Sequence, residues 1–170
     1  GMITGVDEQF GRILAALQHS GCQDDTIVVF TSDHGNHLGI HDWGTKNVYF
    51  EESMRIPLLL RFPGRITPGR DDLLISVPDV YPPLLALMGL GDEVPESVQG
   101  ANHAPVILTG NGPRPSSQLY LYVSASNREL GRRGIRTKRY TMVTEREKDG
   151  RETEFLFDRE QDPYQLNNIA

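Results

Sequence analysis

Residues 26–57 constrain what this chain can fold into more than any other stretch of its sequence. They begin with a short β-branched and aromatic run at 27–30, a pattern typical of a strand buried on both faces of a parallel sheet. Asp33 and His34 follow where that strand ends. Ligands bind beyond the carboxyl ends of strands in open α/β sheets, so the sequence predicts chemistry at this pair. Gly35 then allows a sharp turn and a close backbone approach to a ligand or metal.

A less specific interpretation treats Asp33-His34-Gly35 as a solvated turn, in which aspartate supplies local hydrogen bonds and glycine the positive φ. The residues that follow favour a functional loop, because a segment that only connects two elements rarely needs so many imidazole, charged and aromatic groups. These groups are His37, His41, Trp43, Lys46, Tyr49, Glu51, Glu52 and Arg55.

The segments on either side of this loop predict an α/β arrangement. Apolar residues recur at helical spacing over residues 6–19, and Gly21 lies just beyond them, so we expect an amphipathic helix that packs on the sheet. Residues 56–62 predict a second buried strand after the loop. One helix and two strands are a small share of an α/β domain.

A third element is predicted after the second strand. Asp79 is expected to cap a helix whose first turn contains Pro82 and Pro83, where a missing N–H costs little, and this helix should stop at Gly89. Residues 91–115 are rich in glycine, proline and asparagine. They are expected to form a long connection without regular structure.

The last third of the chain has the pattern of strands. Short runs rich in β-branched and aromatic residues occur at 119–123, 134–136, 140–144 and 155–157. Lys138-Arg139 and the charged stretch 145–154, which contains Asp149-Gly150, fit hairpin turns. The sequence therefore predicts a small antiparallel sheet whose charged loop tip is solvated.

Composition and charge exclude several classes of function. The 170 residues are 38% hydrophobic and 24% charged, which is globular, and the formal net charge of −6 argues against a general binder of nucleic acid or anionic membranes. No apolar run reaches the roughly 18 residues that a membrane span requires. No signal-peptide pattern is found, and the compartment is left open between periplasm and cytoplasm. Cys22, the only cysteine, cannot form a disulfide within the chain and is expected to be at least half-buried.

The loop resembles the second metal-binding segment of the sulfatases, within the alkaline-phosphatase-like superfamily. The matching residues are Asp33-His34-Gly35, Leu38-Gly39, His41, Trp43-Gly44, Lys46, Tyr49, Glu51-Glu52-Ser53 and Arg55-Ile56-Pro57. Asp79-Val80-Tyr81-Pro82 is similar to a helix start of that family, and Leu156-Phe157-Asp158 with Asp162-Pro163-Tyr164 and Leu166-Asn167-Asn168 is similar to its C-terminal segment. The resemblance covers nearly the whole chain in the family's order. It implies a fragment of an alkaline-phosphatase-like α/β fold with a small C-terminal antiparallel sheet.

The resemblance also implies roles for individual residues. Asp33 and His34 match metal ligands, and the resemblance implies Ca²⁺; their mixed oxygen and nitrogen donors tolerate Ca²⁺ but suit Mn²⁺ or Zn²⁺ better than an all-oxygen site would. Lys46 matches a catalytic lysine that contacts the substrate's sulfate. His41 matches a histidine that contacts substrate or orients other groups. Trp43 stands one place earlier than in many relatives and is interpreted as a residue that packs the loop.

The family's nucleophile is a formylglycine made from Cys or Ser in a Cys/Ser-x-Pro-x-Arg motif, and this sequence contains no such motif. Ser76-Val77-Pro78 matches three positions, but Val80 stands where the arginine should be. Three hypotheses follow: the C-terminal part of a sulfatase that is inactive alone, a phosphodiesterase or phosphonate monoester hydrolase of the same superfamily, and a noncatalytic remnant or assembly module.

The resemblance divides the chain into residues 1–110, part of the catalytic α/β domain, and residues 111–170, a small antiparallel β subdomain. In the complete enzyme the first part would bind a sulfate ester. If one helix and two strands are separated from the rest of a larger α/β domain, the strands keep unpaired edges and an apolar face is left uncovered. We therefore expect self-association through residues 3–62, with the surface of the C-terminal sheet remaining free.

Overall fold

The computed structural model describes residues 1–170, which form four α-helices and two separate antiparallel sheets. The helices are α1 (Met2–His19), α2 (Glu51–Met54), α3 (Tyr81–Leu87) and α4 (Ala104–Thr109). The first sheet contains β1 (Val28–Thr31) and β2 (Leu58–Arg61). The second contains β3 (Ser117–Val123), β4 (Gly131–Thr137), β5 (Tyr140–Arg146) and β6 (Glu152–Asp158), in that order. No helix is both long and apolar enough to cross a membrane.

The run at 27–30 suggested a strand of a parallel sheet, but its one neighbour in this structure is not parallel to it. β1 and β2 run antiparallel, and Thr31 lies opposite Leu58. The loop therefore joins the end of β1 to the adjacent start of β2, as the turn of a β-hairpin does, although it is much longer. A β-branched run indicates burial and does not show the direction of the neighbouring strand, which is why the sequence could not distinguish the two pairings.

Helices flank both faces of this small sheet, as in α/β folds. On one face, Val29 and Leu60 line an apolar cleft together with Leu84 of α3 and Ile107 of α4. On the other face, the Phe30 ring lies 4.8 Å from the ring of Phe10 in α1. The strands are only half-buried, because few side chains of α1 pack on the face that carries Phe30.

Two local predictions need correction. Asp79 does not cap α3; its carboxylate accepts hydrogen bonds from the amide and hydroxyl of Ser76, both at 2.9 Å, and from the Ala101 amide at 2.8 Å. Residues 91–115 are not an unstructured connection, since they contain α4. Pro105 lies in the first turn of that helix, where proline is tolerated, so a residue interpreted as a helix breaker is part of a helix start.

The four predicted C-terminal strands are all present, each longer than the sequence suggested. Tyr49, from the long loop, is buried against the sheet together with Val143 and Phe157. Its ring centroid lies 5.0 Å from that of Phe155 and 5.9 Å from that of Phe157. The hydrophobic core of the C-terminal sheet therefore includes a residue of the loop that carries the candidate site.

A half-buried ion pair joins the same two regions. Glu51 of α2 accepts two hydrogen bonds from Arg136 of β4, at 2.7 and 2.9 Å, and lies 3.6 Å from Arg159. Burial disfavours the charged carboxylate, but the hydrogen bonds and positive charge of Arg136 outweigh this effect and lower the pKa of Glu51. The ion pair should therefore stabilise the folded chain wherever Glu51 is ionised.

Replacing Glu51 with glutamine is expected to lower the free energy of unfolding at neutral pH by about 2–4 kcal/mol, because two half-buried arginines lose their counter-ion. The pKa of Glu51 is lower in the folded state than its ordinary value of 4.5, so its contribution is complete above pH 4.5 and is lost as the pH falls through the folded value. Urea unfolding at several pH values should show a weaker acid dependence in Glu51→Gln.

The matched control is Glu147→Gln. Glu147 pairs with Arg151 at 2.6 Å on the exposed hairpin, and such pairs contribute less than about 1 kcal/mol. Equal losses of stability in the two variants would show that the Glu51 ion pair has no special role.

Candidate active site

The loop between β1 and β2 has a defined backbone conformation without long regular elements. The His37 amide donates to the Thr45 carbonyl at 2.7 Å, and the Gly39 amide donates to the Trp43 carbonyl at 3.0 Å. Several loop residues other than glycine have positive φ: Leu38, His41, Asp42 and Asn47. This density of unusual backbone conformations in a hydrogen-bonded loop is typical of functional segments.

Asp33, His34 and Lys46 lie together just beyond the end of β1. Asp33 Oδ2 is 3.3 Å from His34 Nε2, and the Lys46 ammonium contacts the same imidazole nitrogen. Asp33 is largely exposed, whereas His34 and Lys46 are partly buried. The structure thus brings together the two predicted metal ligands and the predicted catalytic lysine, while their chemical roles stay predictions.

The hydrogen bonds of the site determine which lone pairs are available. His34 Nδ1 lies 2.7 Å from the Gly35 carbonyl, which can only accept, so this nitrogen carries the proton and leaves the lone pair of the neutral ring on Nε2. Partial desolvation acts to raise the pKa of Asp33, but the hydrogen bond from the His34 amide at 2.9 Å and the positive charge of Lys46 outweigh it and lower that pKa. Asp33 therefore presents an ionised oxygen beside an imidazole lone pair.

These donors fit part of a metal site. Ligand bonds of roughly 2.0–2.2 Å meeting at about a right angle place two donor atoms about 3 Å apart, close to the separation of Asp33 Oδ2 and His34 Nε2. No group of three or more His, Cys, Asp or Glu side chains in the chain could enclose an ion. Two donor atoms that could bind a divalent cation therefore lie side by side, and the Lys46 ammonium contacts one of them.

Gly35 has a different role from the predicted approach to a ligand. A Cβ atom at this position would lie 1.9 Å from the Glu52 carbonyl oxygen, and the Gly35 amide donates to the Ser53 carbonyl at 2.9 Å. The backbone of Gly35 therefore packs directly against α2. The missing side chain lets this helix approach the end of β1, next to Asp33 and His34.

His41 lies apart from the other three predicted residues. Its ring stacks on Phe50, with the centroids 3.8 Å apart, and its Nε2 lies 3.6 Å from Glu52 Oε2. Only 8% of its side chain is exposed. These are the contacts of a residue that supports the loop, and a direct substrate contact by His41 stays a prediction. His37, which the sequence left without a role, is fully buried with its Nδ1 3.2 Å from the Ile40 carbonyl.

Comparisons with known proteins identify the family of this chain. The sequence model of the Sulfatase family matches residues 1–90, more than half of the chain. The chain belongs to the sulfatase family. It is 41% identical to the endo-4-O-sulfatase of Bacteroides thetaiotaomicron, a match that covers 98% of this chain and 36% of that protein.

Solved structures give the same assignment. The crystal structure of yidJ from Bacteroides fragilis, assigned as a sulfatase, superimposes with a TM-score of 0.93 at 45% identity over 99% of this chain and 36% of that one. The phosphonate monoester hydrolase of Agrobacterium radiobacter gives 0.80 at 31% identity, over 100% of this chain and 36% of that one. This sulfatase-family chain therefore spans about a third of the length of the relatives it matches, and its alkaline-phosphatase-like fold with a four-stranded antiparallel sheet is confirmed.

Replacing Gly35 with alanine is expected to lower the free energy of unfolding by at least about 2 kcal/mol, because the new methyl group overlaps the backbone of α2. Gly44 in the same loop is the matched control, since a Cβ atom there meets nothing within 4 Å. Thermal unfolding of Gly35→Ala and Gly44→Ala measures the difference directly. Equal stability of the two variants would contradict the packing role of Gly35.

Proposed function

We propose that this chain is the C-terminal part of a sulfatase, a metal-dependent hydrolase of sulfuric esters. The observation that carries the proposal is the meeting of Asp33, His34 and Lys46 at the end of β1 in a chain of the sulfatase family. Family membership alone supports a hydrolase fold. The three side chains supply part of the chemistry that cleavage of an anionic ester needs.

The chemistry follows from where charge develops. Cleavage of a sulfate ester builds negative charge on the nonbridging oxygens and on the leaving oxygen, and fixed positive charges stabilise it. Asp33 and His34 would hold a divalent cation, Ca²⁺ by resemblance or else Mn²⁺ or Zn²⁺, which acts as a Lewis acid toward an ester oxygen when bound. Lys46 would place its ammonium against a second oxygen. Because Lys46 contacts His34 in this structure, the ammonium has to turn away from the imidazole to do so.

We also propose that this chain alone is inactive. It contains no Cys/Ser-x-Pro-x-Arg motif for a formylglycine nucleophile, and the described residues supply only two of the metal ligands. The catalytic groups that complement Asp33, His34 and Lys46 would come from the portion of a longer protein that corresponds to the rest of its relatives.

A second candidate is a phosphonate monoester hydrolase or phosphodiesterase of the same superfamily. It is supported by the Agrobacterium radiobacter structure and by a 38% identical match to the multifunctional alkaline phosphatase superfamily protein PehA of Trinickia caryophylli. Asp-His pairs serve both chemistries, so the nucleophile and the preferred ester would separate the two. A noncatalytic assembly module is the third candidate, and the contact of Lys46 with His34 gives it no specific support.

The isolated chain is expected to hydrolyse neither 4-nitrophenyl sulfate nor bis(4-nitrophenyl) phosphate above background. Fusing it behind the N-terminal portion of the Bacteroides fragilis relative should restore sulfate ester hydrolysis, since that portion completes the site. In the fusion, Asp33→Ala should abolish activity and Lys46→Ala should lower kcat/KM by about 10²–10³-fold.

The control in the same fusion is Lys148→Ala, because Lys148 lies in the exposed β5–β6 turn. Turnover by the isolated chain that is lost in Asp33→Ala would contradict its inactivity. A fusion that cleaves the phosphate diester much faster than the sulfate ester would favour the second candidate.

We further propose that the isolated chain self-associates through residues 3–62. Apolar side chains of α1 and of β2 are open to solvent there, among them Ile3, Val6, Ile13 and Leu59, and the two-stranded sheet has free edges. Burying several hundred Å² of this surface contributes roughly 25 cal/mol per Å² before the entropic cost of association. A second copy of the chain offers a matching surface.

Light scattering at high protein concentration should show a dimer that Ile13→Asp abolishes. Leu119→Asp is the control, because Leu119 lies on the exposed outer face of the C-terminal sheet, which also carries Ile135 and Met142. A monomer at every concentration would refute the proposal. A dimer lost only in Leu119→Asp would place the contact on the C-terminal sheet instead.

A further inference from the structure

Arg132 of β4 connects the C-terminal sheet to the loop of the candidate site through several contacts. Its guanidinium carbon lies 5.4 Å from the ring centroid of Trp43 and 6.0 Å from that of Tyr49, two residues that flank Lys46 in the sequence. Only 14% of its side chain is exposed. Arginine favours such stacked positions because its planar cation interacts with aromatic faces.

The same guanidinium holds the residue that follows Lys46. Arg132 Nη1 donates to the Asn47 carbonyl at 3.2 Å, and the Tyr120 hydroxyl of β3 donates to the same oxygen, also at 3.2 Å. On its other side, the Asn47 amide donates to the Ser53 hydroxyl at 3.1 Å. Asn47 has a φ of 73°, a left-handed conformation that asparagine tolerates better than most residues, and these bonds fix the backbone in it.

Glu145 of β5 keeps Arg132 in this position. Its carboxylate lies 2.7 Å from Arg132 Nη2, and Glu145 is the cross-strand partner of Arg132 in the sheet. One guanidinium nitrogen of Arg132 is bound to this carboxylate, and another donates to the Asn47 carbonyl. The guanidinium therefore has little rotational freedom. The sheet therefore presents a rigid donor to the loop.

We propose that Arg132 is a positioning residue that fixes the loop backbone beside Lys46 and so keeps the Lys46 ammonium next to His34, from where it can turn toward a substrate oxygen. A lysine side chain has a long flexible stem, so the place of its ammonium depends on how firmly the backbone beside it is held. Arg132 fixes that backbone at Asn47 and packs against Trp43 and Tyr49 on either side of Lys46. The inference rests on the role proposed above for Lys46 and adds that the C-terminal sheet, which carries none of the predicted site residues, determines the geometry of the site.

The proposal can be tested on the chain as it is, without turnover. NMR spectra of the imidazole nitrogens at one fixed pH should show a His34 Nε2 signal that changes when the contact is removed in Lys46→Met. Arg132→Leu should move this signal at least half of the way toward its position in Lys46→Met. Arg133→Leu is the matched control, because Arg133 is the next residue of β4, faces the opposite side of the sheet and bonds only to the carbonyls of residues 128 and 129.

Hydrogen exchange gives an independent readout in the same variants. The His37 amide, which donates to Thr45 in the loop, should exchange about tenfold faster or more in Arg132→Leu, since a charge-assisted hydrogen bond to the loop is lost. Amides of β5 and β6 should keep their wild-type exchange rates, which shows that the sheet remains folded.

A milder variant covers the case in which Arg132→Leu does not fold. Tyr120→Phe removes only the second donor to the Asn47 carbonyl and should shift the His34 signal in the same direction by a smaller amount. An unchanged His34 signal in Arg132→Leu and Tyr120→Phe, or an equal change in Arg133→Leu, would overturn the proposal. These results do not depend on which ester is cleaved, so they are separate from the test of the proposed function.

Discussion

The burial of Tyr49 in the C-terminal sheet is the interaction on which the rest of the structure depends. A small two-stranded sheet with half-covered faces has little core of its own. The aromatic cluster of Tyr49, Phe155 and Phe157 gives the loop a hydrophobic anchor instead. The half-buried ion pair of Glu51 and Arg136 then fixes the same segment two residues further on. A loop anchored twice can hold several residues in unusual backbone conformations, and this is where the charged side chains of the site meet.

The local pattern of the sequence was sufficient to predict α1, α3, the strands and the placement of Asp33 and His34, whereas Lys46 was identified by the family resemblance. Asp33 and His34 follow directly from the end of a strand, and all four C-terminal strands have alternating patterns. Long-range relationships could not be read in this way. Neither the antiparallel direction of β2 nor the contact of Arg132 with Asn47 has a local signal, since each depends on how distant segments meet. Proline at the start of α4 gave a misleading signal, because the same residue both ends and begins helices.

The site combines groups that are held in place by different parts of the fold. Asp33 is exposed on the end of β1, and the backbone around it is held by the packing of Gly35 on α2. Lys46 belongs to a loop that is anchored on the C-terminal sheet at two points. Tyr49 packs in the aromatic cluster, and the Asn47 carbonyl accepts hydrogen bonds from Arg132 and Tyr120. Asp33 and Lys46 are therefore expected to respond to different perturbations: changes in α2 should act on the strand end, and changes in the C-terminal sheet should act on the lysine.

Trp43 is the only tryptophan in the chain, and it lies against Arg132 at the junction of the loop and the C-terminal sheet. All of the indole fluorescence of the protein therefore originates at this junction. Its emission depends on the nearby guanidinium charge and on the access of water to a ring that is 41% exposed. The chain thus contains a natural optical probe of the docking of its two sheets, and separation of the loop from the sheet could be followed in real time without a label.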